Sequence, residues 1–268
     1  MIRFVSCSIS EGELKMSENS TEVFNIEDTF QVDDYMYFYS QMLTDEISGR
    51  DVDFLVEQIP VNPSDHILDI PCGFGRHSNR LARHAASVTG VDIQEGFIDI
   101  ARKDALRQKV KCRYIAGDMR ELDFKGEFDI ALSLFTSFGY FDDETNQKVL
   151  QKIAKALKKG GRFCIETINR DVLLQNLKNC IIQERDGNYM IDSNRYDYLN
   201  GRIYTKRIIF RNSSLRTINF SIRLYNPTEL QSLLKLEGLK TIKTFPGFCG
   251  QDMWGKSLRL LIIAEKFD

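Results

Sequence analysis

Residues 66–167 alternate short apolar runs with segments that have helical spacing. The apolar runs have the length of buried strands and lie at 66–70, 87–91, 111–115, 128–134 and 161–167. Between them, helical patterns cover 76–84, 94–106 and 144–158. Strands that alternate with helices of about 10 to 15 residues are typical of βαβ units. This part of the chain therefore predicts a parallel sheet with right-handed crossovers.

The rhythm changes after about residue 169. Short alternating strands follow, separated by turn signals at Asp186-Gly187, Asn200-Gly201 and 212–214. Asn-Gly is a strong hairpin signal because both central residues of a type I′ turn need a positive φ. We therefore predict an antiparallel β insert at 171–225 that covers the substrate. The sequence Asn226-Pro227 then predicts a capped helix, followed by strands at 239–244 and 258–264.

The first part of the chain divides into two segments. Residues 1–32 are polar and lack periodicity, so we expect a flexible N-terminus, within which either Met1 or Met16 is the start. Residues 33–62 are rich in aromatic side chains and predict two short helices that form a lid. The predicted core then comprises 63–170 and 226–268.

Composition narrows the functional class. Lysine and arginine total 36 and aspartate and glutamate 38, a net charge of −2 that argues against a dedicated polyanion binder. The six cysteines are scattered without a C-x-x-C pair, so we expect reduced thiols and no metal site. No apolar stretch of about 18 residues and no signal-peptide pattern occur, which predicts a cytoplasmic protein that does not span a membrane.

The segment 69–75, DIPCGFG, follows the first strand of the predicted sheet. Gly73 and Gly75 allow the backbone to approach a ligand closely at the carboxyl edge of that strand. A dinucleotide fingerprint would have a third glycine where this chain has Ser78, so a pyrophosphate ligand is disfavoured. A tight strand–helix turn without a ligand would explain the two glycines equally well.

Two more carboxylates follow the next strands. Asp92 ends the second strand, where a carboxylate accepts hydrogen bonds from ribose hydroxyls. Asp118 follows the third strand, where it could accept from an exocyclic amine. The alternatives are that Asp92 caps the helix beginning near Gln94 and that Asp118 only shapes a turn.

Together these motifs resemble the class I S-adenosylmethionine-dependent methyltransferases. The resemblance runs from about Ile67 to Lys266 and rests on LDIPCGFGRH, VTGVD, IAGDM, FDIALSLFTSFGYF, LKKGGRF and the terminal GLK and LRLLIIAEK segments. It implies an α/β fold with a Rossmann-like seven-stranded sheet, mostly parallel with a reversed C-terminal strand. Pro71 departs from the family loop, which has a glycine at that position.

The resemblance also implies the site residues, with S-adenosylmethionine as cofactor. Asp69, Gly73 and Gly75 would hold the methionine part, Asp92 the ribose, Ile93 the adenine face, and Asp118 with Met119 the adenine edge. Leu134 and Phe135 would line the sulfonium end. Tyr39 of the lid would cover the methyl donor, although core packing of the lid tyrosines is the alternative. Tyr140 or Tyr37 is the candidate catalytic residue.

The predicted function is methyl transfer to N or O of a small-molecule acceptor by in-line displacement. Between residues 184 and 225, eight basic residues against four acidic ones allow an alternative, an RNA or protein methyltransferase that docks a macromolecule. The same charges are also typical of a solvated sheet with protected edges. A non-catalytic S-adenosylmethionine-binding module and, more distantly, a nicotinamide enzyme complete the alternatives. The sequence does not determine the acceptor or the oligomeric state.

Overall fold

The computed structural model describes residues 3–6 and 26–267, which form two sheets and eight α-helices. In chain order the elements are β1 (Arg3–Ser6), α1 (Ile26–Thr29), α2 (Val32–Tyr39), α3 (Asp45–Gln58), β2 (His66–Asp69), α4 (Ser78–Leu81), β3 (Ser87–Asp92), α5 (Glu95–Gln108), β4 (Cys112–Ala116), β5 (Phe128–Ser133), α6 (Asp143–Ala156), β6 (Leu157–Ile168), α7 (Arg170–Gln175), β7 (Cys180–Arg185), β8 (Asn188–Asp197), β9 (Arg202–Arg211), β10 (Ser214–Arg223), α8 (Pro227–Leu236), β11 (Leu239–Phe245) and β12 (Arg259–Lys266).

The central sheet has seven strands in the order β11-β12-β6-β5-β2-β3-β4. Strands β2 to β6 pair in parallel, and β12 runs antiparallel to both of its neighbours. Strands β2, β3 and β5 are almost entirely buried, as expected for a parallel sheet with helices on both faces. The predicted fold class, including the reversed C-terminal strand, is confirmed.

Two helix predictions differ from the structure. The pattern at 76–84 yields only one helical turn, α4, within a longer irregular segment. Helix α6 ends at Ala156, before the predicted end at residue 158, and β6 begins at Leu157 instead of residue 161, so that Gly160 and Gly161 lie inside this strand. The pairing of β5 with β6 shifts register between Phe128 and Ile130, so the extra residues around the two glycines form an irregularity in the strand.

The insert forms the predicted antiparallel sheet. Its four strands, β7 to β10, pair in sequence order, and β1 adds a fifth strand beside β7. Two-residue turns at 186–187 and 212–213 have the positive φ values that tight hairpins need. The Asn200-Gly201 pair instead lies in a four-residue loop, 198–201, in which the Asp197 carboxylate accepts hydrogen bonds from the backbone N–H of Leu199 and Asn200. The predicted tight turn is therefore wrong in length.

The N-terminal segment contributes more structure than the sequence predicts. Strand β1 and helix α1 lie within residues 1–32, which we expected to be flexible, and the other residues before Ile26 lie outside the described part of the chain. The lid segment 33–62 contains α3, a helix of 14 residues rather than a short one. The capped helix predicted at Asn226 is confirmed by a full capping box between Asn226 and Glu229.

The insert arginines bind within the protein. Arg211 donates to the Asp34 carboxylate at 3.0 Å, and Arg216 pairs with the same carboxylate, so two strands of the insert hold helix α2. Further arginine contacts join the insert to the lid and to the core; they are Arg185 with the Tyr37 carbonyl, Arg202 with the Phe141 carbonyl, and Arg223 with the Asp143 carboxylate. These arginines therefore fix the lid and the insert in place instead of forming a free basic surface.

Among the helices of the described residues, none is long and apolar enough to cross a membrane.

Candidate active site

A cavity of about 870 Å³ lies between the central sheet, the N-terminal helices and the insert. It begins at the carboxyl ends of β2, β3, β4 and β5, where ligands bind in open α/β sheets. The sequence predicts twelve site residues, and nine of them belong to the core and line this cavity: Asp69, Gly73, Asp92, Ile93, Asp118, Met119, Leu134, Phe135 and Tyr140. Tyr39 of α2 also lines it. Ten of the predicted residues therefore meet in one cavity.

Gly73 and Gly75 have different roles in the loop after β2. Both have positive φ values, +53° and +77°, which glycine adopts without strain. Gly73 lines the cavity, and a Cβ atom there would meet nothing within 4 Å. Gly75 is not among the described residues that line the cavity; its Cβ would lie 2.6 Å from the Tyr114 hydroxyl and 2.8 Å from the Ala101 Cβ. Gly75 therefore allows close packing against β4 and α5.

Asp92 is buried at the end of β3. Its Oδ2 accepts the backbone N–H of Gly73 at 2.8 Å, and its Oδ1 accepts that of Gln94 at 2.9 Å. The N-cap of α5 is Gln94, so Asp92 does not cap that helix. Burial raises the pKa of Asp92 to about 6, while these backbone N–H groups oppose the rise. The carboxylate thus holds the glycine loop at a fixed distance from β3 and still faces the cavity.

Asp69 at the end of β2 is buried and accepts a short hydrogen bond, 2.5 Å, from the Ser78 hydroxyl. Burial raises the pKa of Asp69 to about 7, although Ser78 and the charge of Arg76 favour the ionised form. Ser78 therefore supports the first carboxylate of the site, in place of the third glycine of a dinucleotide fingerprint.

The raised pKa of Asp69 predicts a pH effect on stability. A carboxyl whose pKa is higher in the folded state than its usual 3.8 favours folding while it is protonated, so the wild type loses this contribution as pH rises from about 4 to about 7. Asp69→Asn is expected to gain stability relative to the wild type over that range, on the order of 3 to 4 kcal/mol, as measured by urea denaturation at each pH.

The comparison of variant with wild type isolates Asp69. His77, whose pKa burial lowers to about 4, changes stability in the opposite direction over this range but does so in both proteins. Asp118→Asn is the matched control, because the pKa of Asp118 lies below its usual value and its contribution is nearly constant above about pH 5. A flat difference between Asp69→Asn and wild type would contradict the assignment.

Asp118 follows β4 and begins a 3-10 helix, Met119–Glu121. Its carboxylate accepts hydrogen bonds from the Arg120 backbone N–H and from Nε, both at 2.8 Å. Burial would raise the pKa of Asp118, but the hydrogen bonds and charge of Arg120 outweigh it and lower the pKa. The turn predicted as the alternative for Asp118 is thus present, and the residue also lines the cavity.

The turn after β5 is held by a buried carboxylate that sequence reasoning did not identify. Phe135 and Thr136 both have positive φ, 61° and 57°, an unfavourable conformation for residues with a side chain. Glu166 of β6 accepts the Phe135 N–H at 2.6 Å and binds Arg259 of β12 at 2.8 Å. Arg259 lies over the Phe135 ring with its Cζ 4.7 Å from the centroid. This network keeps Phe135 at the centre of the cavity wall.

The lid tyrosines separate into two groups. Tyr35 and Tyr39 line the cavity and stack with their ring centroids 4.8 Å apart. Tyr39 also accepts a hydrogen bond from Arg207 of the insert at 3.1 Å. Tyr37 is absent from the described lining residues; its hydroxyl donates to the Arg185 carbonyl at 2.9 Å, and its ring lies against Arg185 and Arg211. Tyr37 therefore joins the lid to the insert.

Tyr140 lies at the junction of the core and the insert. Its ring meets Phe30 edge-on at 5.4 Å and packs near Phe220 at 6.5 Å. Burial raises the pKa of Tyr140 well above its usual value, so the phenol is protonated at neutral pH. A protonated tyrosine can orient an acceptor by hydrogen bonding, whereas it is a weak general base.

Helix α3 is fixed to the glycine loop by a buried ion pair. Asp51 binds Arg76 at 2.9 Å and His77 at 3.1 Å, and Arg76 also donates to the Ser48 hydroxyl. Arg76 and His77 both line the cavity. The second lid helix thus sets the position of two cavity residues, and His77, with its lowered pKa, is neutral at pH 7.

Comparison with known proteins assigns the domain. Residues 67–161 match the family model described as a methyltransferase domain. The chain carries a methyltransferase domain. The crystal structure of an S-adenosylmethionine-dependent methyltransferase from Clostridium acetobutylicum ATCC 824 has the same fold, with a TM-score of 0.73 and 18% identity over 91% of this chain and all of that chain. The structure of the methyltransferase CcbJ from Streptomyces caelestis is also similar, with a TM-score of 0.72. Its sequence identity is 16%, and the match covers 87% of this chain and 96% of that chain.

The methyltransferase domain also has curated relatives. A ubiquinone biosynthesis O-methyltransferase from Coxiella burnetii (strain Dugway 5J108-111) is 34% identical over 117 residues, which are 43% of this chain and 49% of that protein. The chain thus spans about half the length of this relative. The resemblance to the class I S-adenosylmethionine-dependent methyltransferases is confirmed in domain and fold.

Proposed function

We propose that this methyltransferase domain uses S-adenosylmethionine to methylate N or O of a small-molecule acceptor. The observation that carries the proposal is the single cavity that extends from the carboxylates Asp69, Asp92 and Asp118 to the insert wall. Cavities of roughly 300 to 1,000 Å³ hold small ligands, and about 870 Å³ leaves room for an acceptor beside the cofactor.

The residues at the core end fit S-adenosylmethionine. Gly73 leaves open space where any other residue would place a Cβ, so the backbone can approach the methionine part closely. Asp92 is at the end of β3, where a carboxylate accepts from ribose hydroxyls. Ile93, Phe97 and Met119 supply apolar lining for a flat base. When bound, the cofactor supplies a methyl group that is bonded to the sulfonium sulfur of its leaving group.

The protein then has to orient the acceptor and exclude water. Alignment supplies most of the rate enhancement when the acceptor atom is held about 3 to 3.5 Å from the methyl group, in line with the bond that breaks. Helices α1 and α2 cover the cavity from one side, and Asp34 ties α2 to Arg211 and Arg216 of the insert. Tyr35, Tyr39 and Tyr140 line the cavity, and their hydroxyls support this role in orienting an acceptor.

The contacts of the basic residues in the insert favour a small acceptor over a macromolecule. Six of the eight basic residues of the insert bind carboxylates or carbonyls of the chain itself, namely Arg185, Arg202, Arg207, Arg211, Arg216 and Arg223. Phosphate binding would require these ion pairs to break, and a nucleic-acid site relies on arginines that are available to the backbone. The insert charges therefore support lid attachment.

Incubation with S-adenosylmethionine labelled in its methyl group tests the function. The acceptors are a panel of uncharged phenols and amines, total RNA and unrelated proteins, with Asp92→Ala as the variant expected to lose transfer. We expect label in at least one small molecule and none in RNA. Label in RNA or protein alone would contradict the small-molecule assignment, and cofactor binding without any transfer would favour the non-catalytic alternative.

A further inference from the structure

The far wall of the cavity is made by alternate residues of the insert strands. Ile203, Thr205 and Arg207 of β9 line it, as do Asp192 and Asn194 of the neighbouring β8. Residues two apart on a strand share a face, which explains the spacing. This wall is opposite the carboxyl ends of the core strands, so it faces the part of the cavity left for the acceptor under the proposed function.

A charged pair lies in this wall beside a polar pair, in which the Thr205 hydroxyl donates to the Asn194 side-chain oxygen at 2.8 Å. Asp192 and Arg207 are directly opposite each other in the pairing of β8 with β9. Arg207 donates from Nε to one carboxylate oxygen and from Nη2 to the other, both at 2.7 Å. The two side chains are only 17% and 10% exposed. A buried ion pair adds little net stability, since apolar residues of similar size commonly do as well. Its place on the cavity wall points to ligand binding.

The pair retains hydrogen-bonding capacity toward the cavity. Arg207 uses Nε and Nη2 for Asp192, and Nη2 also for the Tyr39 hydroxyl, whereas Nη1 has no hydrogen bond to the described residues. Each carboxylate oxygen of Asp192 can accept a second hydrogen bond. The pair therefore offers acceptor capacity on Asp192 and a separate donor, Nη1, on the other edge of the guanidinium, and the two opposite charges cancel.

Apart from Thr205, Asn194 and the Tyr39 hydroxyl, the cavity residues around the pair are apolar or aromatic. Phe30, Phe220, Ile203 and Ile222 complete this end of the cavity, and the Arg207 guanidinium lies 5.2 Å from the Phe220 ring centroid. The lysines that line the cavity, Lys178 and Lys256, are exposed at its rim. An ionised group next to the neutral pair would lose hydration without a counter-charge.

We infer that Asp192 and Arg207 select the acceptor, which is an uncharged molecule with an apolar body and an N–H or O–H donor. The donor binds the Asp192 carboxylate. Tyr39 holds Arg207 in position through their hydrogen bond. This inference rests on the proposed function, because it assigns the space that the cofactor leaves free.

Ligand-observed NMR on the full chain saturated with S-adenosylhomocysteine tests the selection. Benzamide carries an N–H donor, acetophenone has the same shape without the N–H, and benzoate carries a charge. We expect benzamide to bind at least about tenfold more tightly than either, the usual effect of a hydrogen bond to a charged group. Equal affinities, or benzoate as the best ligand, would overturn the inference.

Asp192→Asn gives a second readout that a purely structural role would not produce. Loss of the carboxylate leaves the Arg207 charge uncompensated, so we expect the preference to shift toward benzoate by at least about tenfold. Asp197→Asn is the matched control, because Asp197 is at the far end of the same strand and is not among the described residues that line the cavity; it should keep the wild-type order. An unchanged preference in Asp192→Asn would overturn the inference.

The two proposals fail separately. If the wild type does not bind S-adenosylhomocysteine, the proposed function is wrong. If it binds S-adenosylhomocysteine but does not discriminate between benzamide and acetophenone, only the assignment of Asp192 and Arg207 is wrong. The wild-type comparison needs no variant, so it remains decisive even if Asp192→Asn fails to fold.

Discussion

Asp92→Ala is expected to weaken the binding of S-adenosylhomocysteine by about 1.5 to 3 kcal/mol, or roughly 10- to 150-fold. The variant removes the carboxylate expected to accept from the ribose. It also removes the acceptor that holds the Gly73 N–H at 2.8 Å, so the glycine loop loses its fixed distance from β3. Isothermal titration calorimetry measures the change directly.

The matched control for Asp92 is Asp99→Ala. Asp99 lies on α5 near Asp92 in sequence, is half-exposed and pairs only with Arg102 at the surface. We expect its removal to leave the affinity within about twofold of wild type, since exposed ion pairs contribute little. Equal affinities for Asp92→Ala and wild type would show that the ribose assignment is wrong.

Gly75→Ala is expected to destabilise the protein by about 2 to 5 kcal/mol. A positive φ costs a residue with a side chain about 1 to 2 kcal/mol. Overpacking adds about 1 to 3 kcal/mol, because the new Cβ would lie 2.6 Å from the Tyr114 hydroxyl and 2.8 Å from the Ala101 Cβ. Tyr114 cannot move away without losing its 2.7 Å hydrogen bond to Asn79. Urea denaturation at constant pH measures the loss.

Gly73→Ala separates packing from backbone strain. Gly73 also has a positive φ, but a Cβ there meets no atom within 4 Å, so only the strain of about 1 to 2 kcal/mol is expected. Because Gly73 lines the cavity, its substitution should weaken cofactor binding more than it lowers stability. Equal losses of stability in the two variants would contradict the different roles of the two glycines.

Much of the core was predictable because its signals are local. The strand that ends at Asp92 follows from the residues beside it, and the capping box from Asn226 to Glu229 spans only four residues. Parallel strands bring their carboxyl ends to one edge, so Asp69, Asp92 and Asp118 could be placed in one site without knowledge of the packing.

The rest of the site depends on contacts that are distant in sequence. Glu166 and Arg259 are 93 residues apart, and they meet only because β12 runs antiparallel to β6. The Asp192–Arg207 pair depends on the register of the β8–β9 hairpin, whose loop is two residues longer than the predicted turn. Alternation along β9 was the only local signal that Arg207 shares a face with Ile203.

The charge balance of the insert did not predict the role of its arginines, because their partner is also distant in sequence. The excess of basic residues indicated either a polyanion surface or a solvated sheet face. The partner of Arg211 and Arg216 is Asp34, 177 and 182 residues earlier in the chain. Asp34 lies outside the insert, so the composition of the insert gives no indication of it. Neither interpretation therefore predicted that insert arginines bind helix α2 of the lid.

The most direct test of the account is isothermal titration of the purified protein with S-adenosylmethionine, S-adenosylhomocysteine and NAD. The cavity at the ends of β2 to β5 predicts saturable binding of both sulfur nucleotides at one site per chain and no binding of NAD. Binding of NAD alone, or of none of the three, would contradict the account.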